Sequence, residues 1–150
     1  MFFALLFQYI LSKDIIMAEN GKSEYKIMYP DEKSASYLYS QKMIAQELRD
    51  EIEKLTGAKL EVITDASSET KNLILIGPTK LSPQPSSNFA DPEIDFFEIR
   101  FSNGNLAIVG NRRGISSGIY ELLEKFGGVR YYASWMYVYP KPGILKVLKM

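Results

Sequence analysis

Residues 96–132 read FFEIRFSNGNLAIVGNRRGISSGIYELLEKFGGVRYY, and their reading decides the fold. Asn103-Gly104 is the dipeptide favoured by a two-residue type I′ turn, in which both central residues need positive φ. With that pair as the turn, Phe101 faces Leu106, Ile99 faces Ile108 and Phe97 faces Gly110. Every partner on that side is apolar or glycine, which one buried face of an antiparallel pair requires. The opposite side sets Arg100 against Ala107 and Glu98 against Val109. The apolar period then changes. Ile115, Ile119, Leu122, Leu123 and Phe126 form one stripe of an amphipathic helix. Gly127-Gly128 closes it, because glycine tolerates the left-handed conformation just past a helix end. Strand, turn, strand, helix and strand are therefore expected in this order.

Working upstream, residues 72–76 (NLILI) read as a strand apolar enough to lie inside a sheet. Residues 60–64 (LEVIT) and 24–29 (EYKIMY) read as two more, the latter closed by Pro30, which has no amide hydrogen for a ladder. Between them a helix is expected over residues 34–55, with Ser34 as cap and Asp31-Glu32 at its positive end. Leu38, Ile44, Ala45, Leu48, Ile52 and Leu55 form its inward stripe. Gln46, Glu47, Arg49, Asp50, Glu51, Glu53 and Lys54 form its wet side. Strand, helix and strand joined this closely predict a parallel right-handed crossover. Residues 79–95, with Pro83, Pro85 and Pro92, break any regular pattern and read as the least structured part. Downstream, residues 137–140 and 144–148 are expected to form a last strand or hairpin. The fold class predicted from these elements is α+β.

The first residues stand apart. The apolar run 2–11, broken only by Gln8, is too short to span a bilayer, which takes about 20 residues. It has the length of a signal-peptide core, with a cleavage point after Ala18. The alternative is translation from Met17. The expected division is a signal-like or mis-assigned segment, 1–20, outside the fold, and one domain, 21–150. A working signal would place the protein in the periplasm or outside the cell.

Composition excludes more chemistry than it supports. Lys+Arg and Asp+Glu are 18 each, without the basic excess of a nucleic-acid binder. The chain has no Cys and no His. That removes thiol nucleophiles, Ser-His-Asp triads, histidine proton shuttles and histidine zinc sites. No calcium loop of the Asp-x-Asp-x-Asp-Gly type occurs, so neither a metal nor a cofactor is expected. The adjacent acids Asp31-Glu32 and Asp50-Glu51 read as a dipole partner and a solvated face. They do not read as two carboxyls flanking one glycosidic bond.

Two groups remain as candidate binding or interface residues. Arg112 and Arg113 sit among Gly110, Gly114 and Gly118 at a strand-to-helix junction, where amides and dipole favour an anion. The competing reading is that Gly114 and Gly118 let the helix lie close to the sheet. Arg130, Tyr132 and Trp135 belong to an aromatic cluster with Tyr131, Tyr137 and Tyr139. Such residues stack on sugars, anchor interfaces or fill cores.

Residues 72–79 (NLILIGPT), 97–101 (FEIRF), 104–110 (GNLAIVG), Arg113-Gly114, 118–124 (GIYELLE) and 128–132 (GVRYY) carry a family likeness. With 44–48 (IAQEL) and 55–60 (LTGAKL), the chain resembles the N-terminal accessory domain of alpha-glucuronidases and the related second domain of beta-hexosaminidases. The likeness spans about residues 24–140. It implies a two-layer sandwich, a mixed β-sheet with two long helices packed on one face, preceding a (β/α)₈ barrel that holds the catalytic acids. Those acids have no counterpart here, so no catalytic residue is assigned. The implied function is a non-catalytic accessory module of a carbohydrate-degrading glycoside hydrolase, with a barrel domain or partner chain as partner. A free-standing carbohydrate-binding module, contacting glycans through the aromatic cluster and Arg112/Arg113, is the alternative. An independent enzyme is a third reading, which the missing His and Cys disfavour.

Overall fold

A computed structural model of the chain describes residues 14–31, 40–86 and 93–148. The hairpin forms in the register read from the sequence. Strand β5 (Phe97–Ser102) pairs antiparallel with β6 (Asn105–Gly110), matching Phe101 to Leu106, Ile99 to Ile108 and Phe97 to Gly110. Asn103 and Gly104 turn the chain at φ 50° and 82°, the positive values a type I′ turn requires. Helix α2 (Arg112–Gly127) follows, capped at its end by Gly128 in the left-handed region. It lies very close to the sheet. A Cβ on Gly114 would stand 1.8 Å from the Phe96 carbonyl oxygen, and one on Gly118 2.7 Å from Ile108. These glycines are packing residues.

The main sheet has five strands in the order β3-β2-β4-β6-β5. They are β2 (Lys26–Tyr29), β3 (Val62–Thr64), β4 (Leu73–Ile76) and the hairpin strands. Strand β2 runs parallel to β3 and β4, and β4 runs parallel to β6; only β5 is antiparallel. Strand β4 lies at the centre with all four residues buried. Helix α1 (Gln41–Thr56) and α2 pack on the same face. Ile44, Leu48 and Ile52 of α1 meet Ile119, Leu122 and Leu123 of α2 over Ile27, Ile74, Ile76, Leu106 and Ile108. Phe101 and Ile99 pack against this cluster from the edge strand. The other face buries Met28, Leu73, Leu75, Ala107 and Val109, with Ile63 and Leu81 packed on it. The two-layer α+β architecture is therefore present. Leu81 also shows that part of the proline-rich connection is built in. Thr79 and Ser82 fold it back on Gly77, with the Ser82 hydroxyl donating to the Gly77 carbonyl at 2.6 Å.

Several expectations need correction. Helix α1 does not start at Ser34. Ser40 is its cap, its Oγ accepting from the Met43 amide at 3.2 Å, and no acidic residue occupies the first turn. Ser34, Leu38 and Glu32 lie outside the described residues, while the Asp31 amide donates to Asp65. Serine at position 40 satisfies an amide that would otherwise be orphaned.

Residues 1–20 are not all outside the fold. Strand β1 (Ile15–Glu19) pairs antiparallel with β9 (Ile144–Val147). Met17 and Ala18 are each 1% exposed and belong to the main core, so apolar burial recruits them. The apolar run 2–11 lies outside the described residues. The expected terminal hairpin is also replaced. Strand β8 (Met136–Val138) turns back on β7 (Arg130–Ala133), and β9 crosses to β1. Among the described residues no helix is long and apolar enough to cross a membrane.

Candidate functional site

The β7–β8 hairpin is the most exposed apolar feature described. Tyr132 is 68% exposed and Trp135 78%, and all three residues of β8 are exposed. Its inner side is anchored by aromatic edges. Tyr131 stacks edge-on against Tyr120 of α2 and against Tyr137, both at 5.1 Å between centroids. Such T-shaped contacts contribute about 0.5–1.5 kcal/mol each beyond area. Arg130 donates through Nη1 to the Glu124 carbonyl at 3.3 Å and the Val129 carbonyl at 3.1 Å. Its guanidinium therefore closes the end of α2 beside Tyr132.

Beneath the hairpin lies a polar latch on α1. Glu51 is only 5% exposed. Its Oε2 accepts from the Tyr139 hydroxyl at 2.7 Å and its Oε1 from Lys54 at 2.8 Å. One turn earlier, Glu47 accepts from the Tyr120 hydroxyl. Both acids were expected on the wet side of α1. The correction is that Tyr120, Tyr131 and Tyr139, from remote parts of the chain, cover them. Burial raises all three tyrosine hydroxyls well above their ordinary value. The carboxylates, Glu51 for Tyr131 and Tyr139 and chiefly Glu47 for Tyr120, add to the shift. The Tyr131 oxygen is buried and has no hydrogen-bond partner among the described residues.

An open groove of about 570 Å³ runs between the helices, with Glu47, Asp50 and Glu51 on one side and Ser116 and Tyr120 on the other. Its carboxylates are engaged. Lys54 and Tyr139 take Glu51, Tyr120 takes Glu47, and Arg49 pairs with Asp50 at 2.9 Å. Acid–base hydrolysis of a sugar needs two carboxyls facing one bond, one of them poised to give a proton. Here the Glu51–Tyr139 bond fastens the segment after β8 to α1, and the Glu47–Tyr120 bond joins α1 to α2.

Arg112 and Arg113 are exposed at the opposite end of α2 from the Gly128 cap that leads into the hairpin. The cap Asn111 uses Oδ1 to accept from the Gly114 amide at 2.7 Å, and its Nδ2 donates to the Ile94 carbonyl at 2.6 Å. Arg113 pairs with Asp95 at 3.3 Å. This junction staples residues 94–96 to the helix start. The predicted residues thus fall into two places: the arginine pair at the β6–α2 junction, and Arg130, Tyr132 and Trp135 on or beside the hairpin.

Sequence reasoning missed the Glu47–Glu51 latch. The available signal was position: both acids flank the Leu48/Ile52 stripe, one turn apart, where a neighbouring element readily covers them. Among the described residues no group of three or more acidic, His or Cys side chains is placed to hold a metal ion. Compared with known proteins, the sequence matches no family model and no curated protein.

Proposed function

We propose that the chain is a non-catalytic accessory module of a carbohydrate-degrading glycoside hydrolase of the alpha-glucuronidase or beta-hexosaminidase type. Its catalytic (β/α)₈ barrel lies on another domain or a partner chain. One observation carries this reading: the hairpin exposes Tyr132, Trp135 and all three residues of β8, while Glu51 beneath it is engaged by Tyr139 and Lys54. Aromatic residues set on a fixed support are what a docking surface uses, because little side-chain freedom is lost on contact. The fold and the sequence likeness of residues 24–140 point the same way.

The test is genetic and enzymatic. The reading frame that continues past the codon for Met150 is expected to encode a barrel with paired acids, and the purified chain is expected to leave aryl glycosides unhydrolysed. Turnover by the chain alone sinks the reading, as does the lack of a barrel both in the following sequence and in any chain that binds this one.

The second reading, a carbohydrate-binding module, is favoured by the exposure of Trp135 and Tyr132 on a hairpin that also carries the exposed Arg130. Trp135 is the only tryptophan, so its emission reports this surface alone. A saturable change with uronic-acid or N-acetylhexosamine oligomers selects the binding module. A flat titration rejects it.

A further inference from the structure

The described sheet edges are not treated alike. An open edge offers unpaired amides and carbonyls to any passing strand, and proteins blunt such edges with charges, proline or a covering segment. Strand β5 is blunted twice. Glu98 accepts from the Ser86 amide at 2.8 Å, and Arg100 donates to the Gln84 carbonyl at 3.3 Å, so residues 84–86 lie tied to it. Strand β3 is flanked by Glu61 and Asp65, with Glu61 paired to Lys26 at 3.1 Å. The β1–β9 pair ends in an Asp14–Lys146 ion pair at 3.3 Å.

Strand β8 has none of these devices. Residues 134–139 (SWMYVY) carry no charge and no proline. Met136, Tyr137 and Val138 are 41%, 41% and 49% exposed, and among the described residues β8 pairs with β7 alone. The edge is also held still from behind, by the Tyr131–Tyr137 contact and by the Tyr139–Glu51 hydrogen bond.

We infer that the free edge of β8 pairs with β8 of a second copy of this chain, antiparallel about a two-fold axis at Tyr137, joining two hairpins into one four-stranded sheet. A two-fold contact must be self-complementary. This edge is: the axis sets Met136 against Val138 of the other copy and Val138 against its Met136, with no like charges to repel. A two-stranded sheet is marginal by itself, and a third and fourth strand supply what it lacks.

The area is adequate for a reversible dimer. Tyr132, Trp135, Met136, Tyr137 and Val138, between 41% and 78% exposed, offer on the order of 500 Å² per copy, which brings the total near the ~1,000 Å² at which specific interfaces begin. The association is therefore weak and concentration-dependent. It goes beyond the accessory reading, since it concerns this chain without a barrel on the same hairpin.

Sedimentation equilibrium of the full chain is expected to show monomer at low micromolar and dimer at several hundred micromolar concentration, with Trp135 emission shifting to the blue over the same range. Met136→Lys and Val138→Glu, at exposed positions, each abolish the dimer with the far-ultraviolet dichroism of the monomer unchanged. Mixing the two variants restores it, because the register sets position 136 of one copy against position 138 of the other. Ile16→Lys, an equally exposed apolar residue on β1, leaves the dimer intact. A wild-type chain monomeric throughout overturns the inference. So does a dimer insensitive to both hairpin substitutions, a dimer lost with Ile16→Lys, or a failure of the mixed variants to associate. The accessory reading stands or falls separately: a monomeric chain with a barrel in the following frame or on a bound partner defeats only the dimer, and a dimer with a barrel in neither place defeats only the module.

Discussion

The β1–β9 pair and the β7–β8 hairpin are both two-stranded, yet they are held by opposite means. Strands β1 and β9 turn Met17, Ala18, Leu145 and Val147 into the main core, each at most 1% exposed. Strand β9 packs against both helices. The hairpin leaves all three residues of β8 exposed and is fastened from one side by the Tyr139 hydroxyl and by ring edges. The first pair is stabilised by removing apolar area from water, about 25 cal/mol per Å². The second relies on a few hydrogen bonds, each worth roughly 1 kcal/mol net. An element's size therefore does not set its stability; what covers it does. The β1–β9 pair should open only with global unfolding and the hairpin at lower cost, a difference that amide exchange reads directly.

The largest effect should come from the buried pair. Leu145→Ala is expected to lower stability by about 2–5 kcal/mol, as for other fully buried leucines, with the loss seen as a shifted denaturant midpoint. A loss below ~1 kcal/mol would show that β9 is not a core strand and would break the comparison.

Tyr139→Phe comes next. Removing one hydrogen bond to the Glu51 carboxylate is expected to cost about 1–2 kcal/mol. The cost should fall mainly on the hairpin, so amide exchange in residues 130–138 accelerates while β1–β9 stays protected. Uniform acceleration across both regions would mean that the latch and the core are one cooperative unit.

Alkaline pH should act on the latch as well. Tyr120, Tyr131 and Tyr139 are held above the ordinary tyrosine value of 10.0, by burial first and by Glu47 and Glu51 second. The folded state therefore binds these protons more tightly than the unfolded chain. The stability this contributes is complete below pH 10 and declines as pH rises beyond it, because the unfolded state alone releases the protons. Tyrosinate absorbance is expected to leave Tyr120, Tyr131 and Tyr139 untitrated until the chain unfolds. Ten tyrosines titrating together in folded protein would contradict the buried latch.

Trp135→Ala closes the series. At 78% exposure it is expected to change monomer stability by less than about 0.5 kcal/mol. A thermal melt showing more would place Trp135 in the fold's own packing and not on an open surface.

What could be read beforehand follows from where each interaction is encoded. The β5–β6 register was legible because Asn103-Gly104 and the alternation around it lie within fourteen residues of chain. Helix α2 was legible because its stripe and its closing glycines sit on one element. Ser40 was missed as the α1 cap because Ser34 offered the same chemistry to the eye. Hydrogen-bond geometry, which composition does not carry, chose between them. The candidate residues were found only in part. Exposed aromatics announce themselves by type, so Tyr132 and Trp135 were picked out. Arg112 and Arg113 were grouped with the aromatic cluster in the binding reading, although they sit at the far end of α2 from the cap that leads into it.

Periodicity and turn chemistry, written locally, determined the strand–turn–strand–helix unit, the central position of β4 and the α+β class. Tertiary structure alone decided that Ile15–Glu19 belongs to the sheet system, since its partner is Ile144–Val147 at the other end of the chain. It alone decided that Glu51 is buried, because the residues that cover it come from β7 and the segment after β8. A residue's own neighbours along the chain report which face it occupies. Whether that face meets water depends on what distant segments bring to it, and a helix that looks wet on one side becomes dry when a hairpin folds across it.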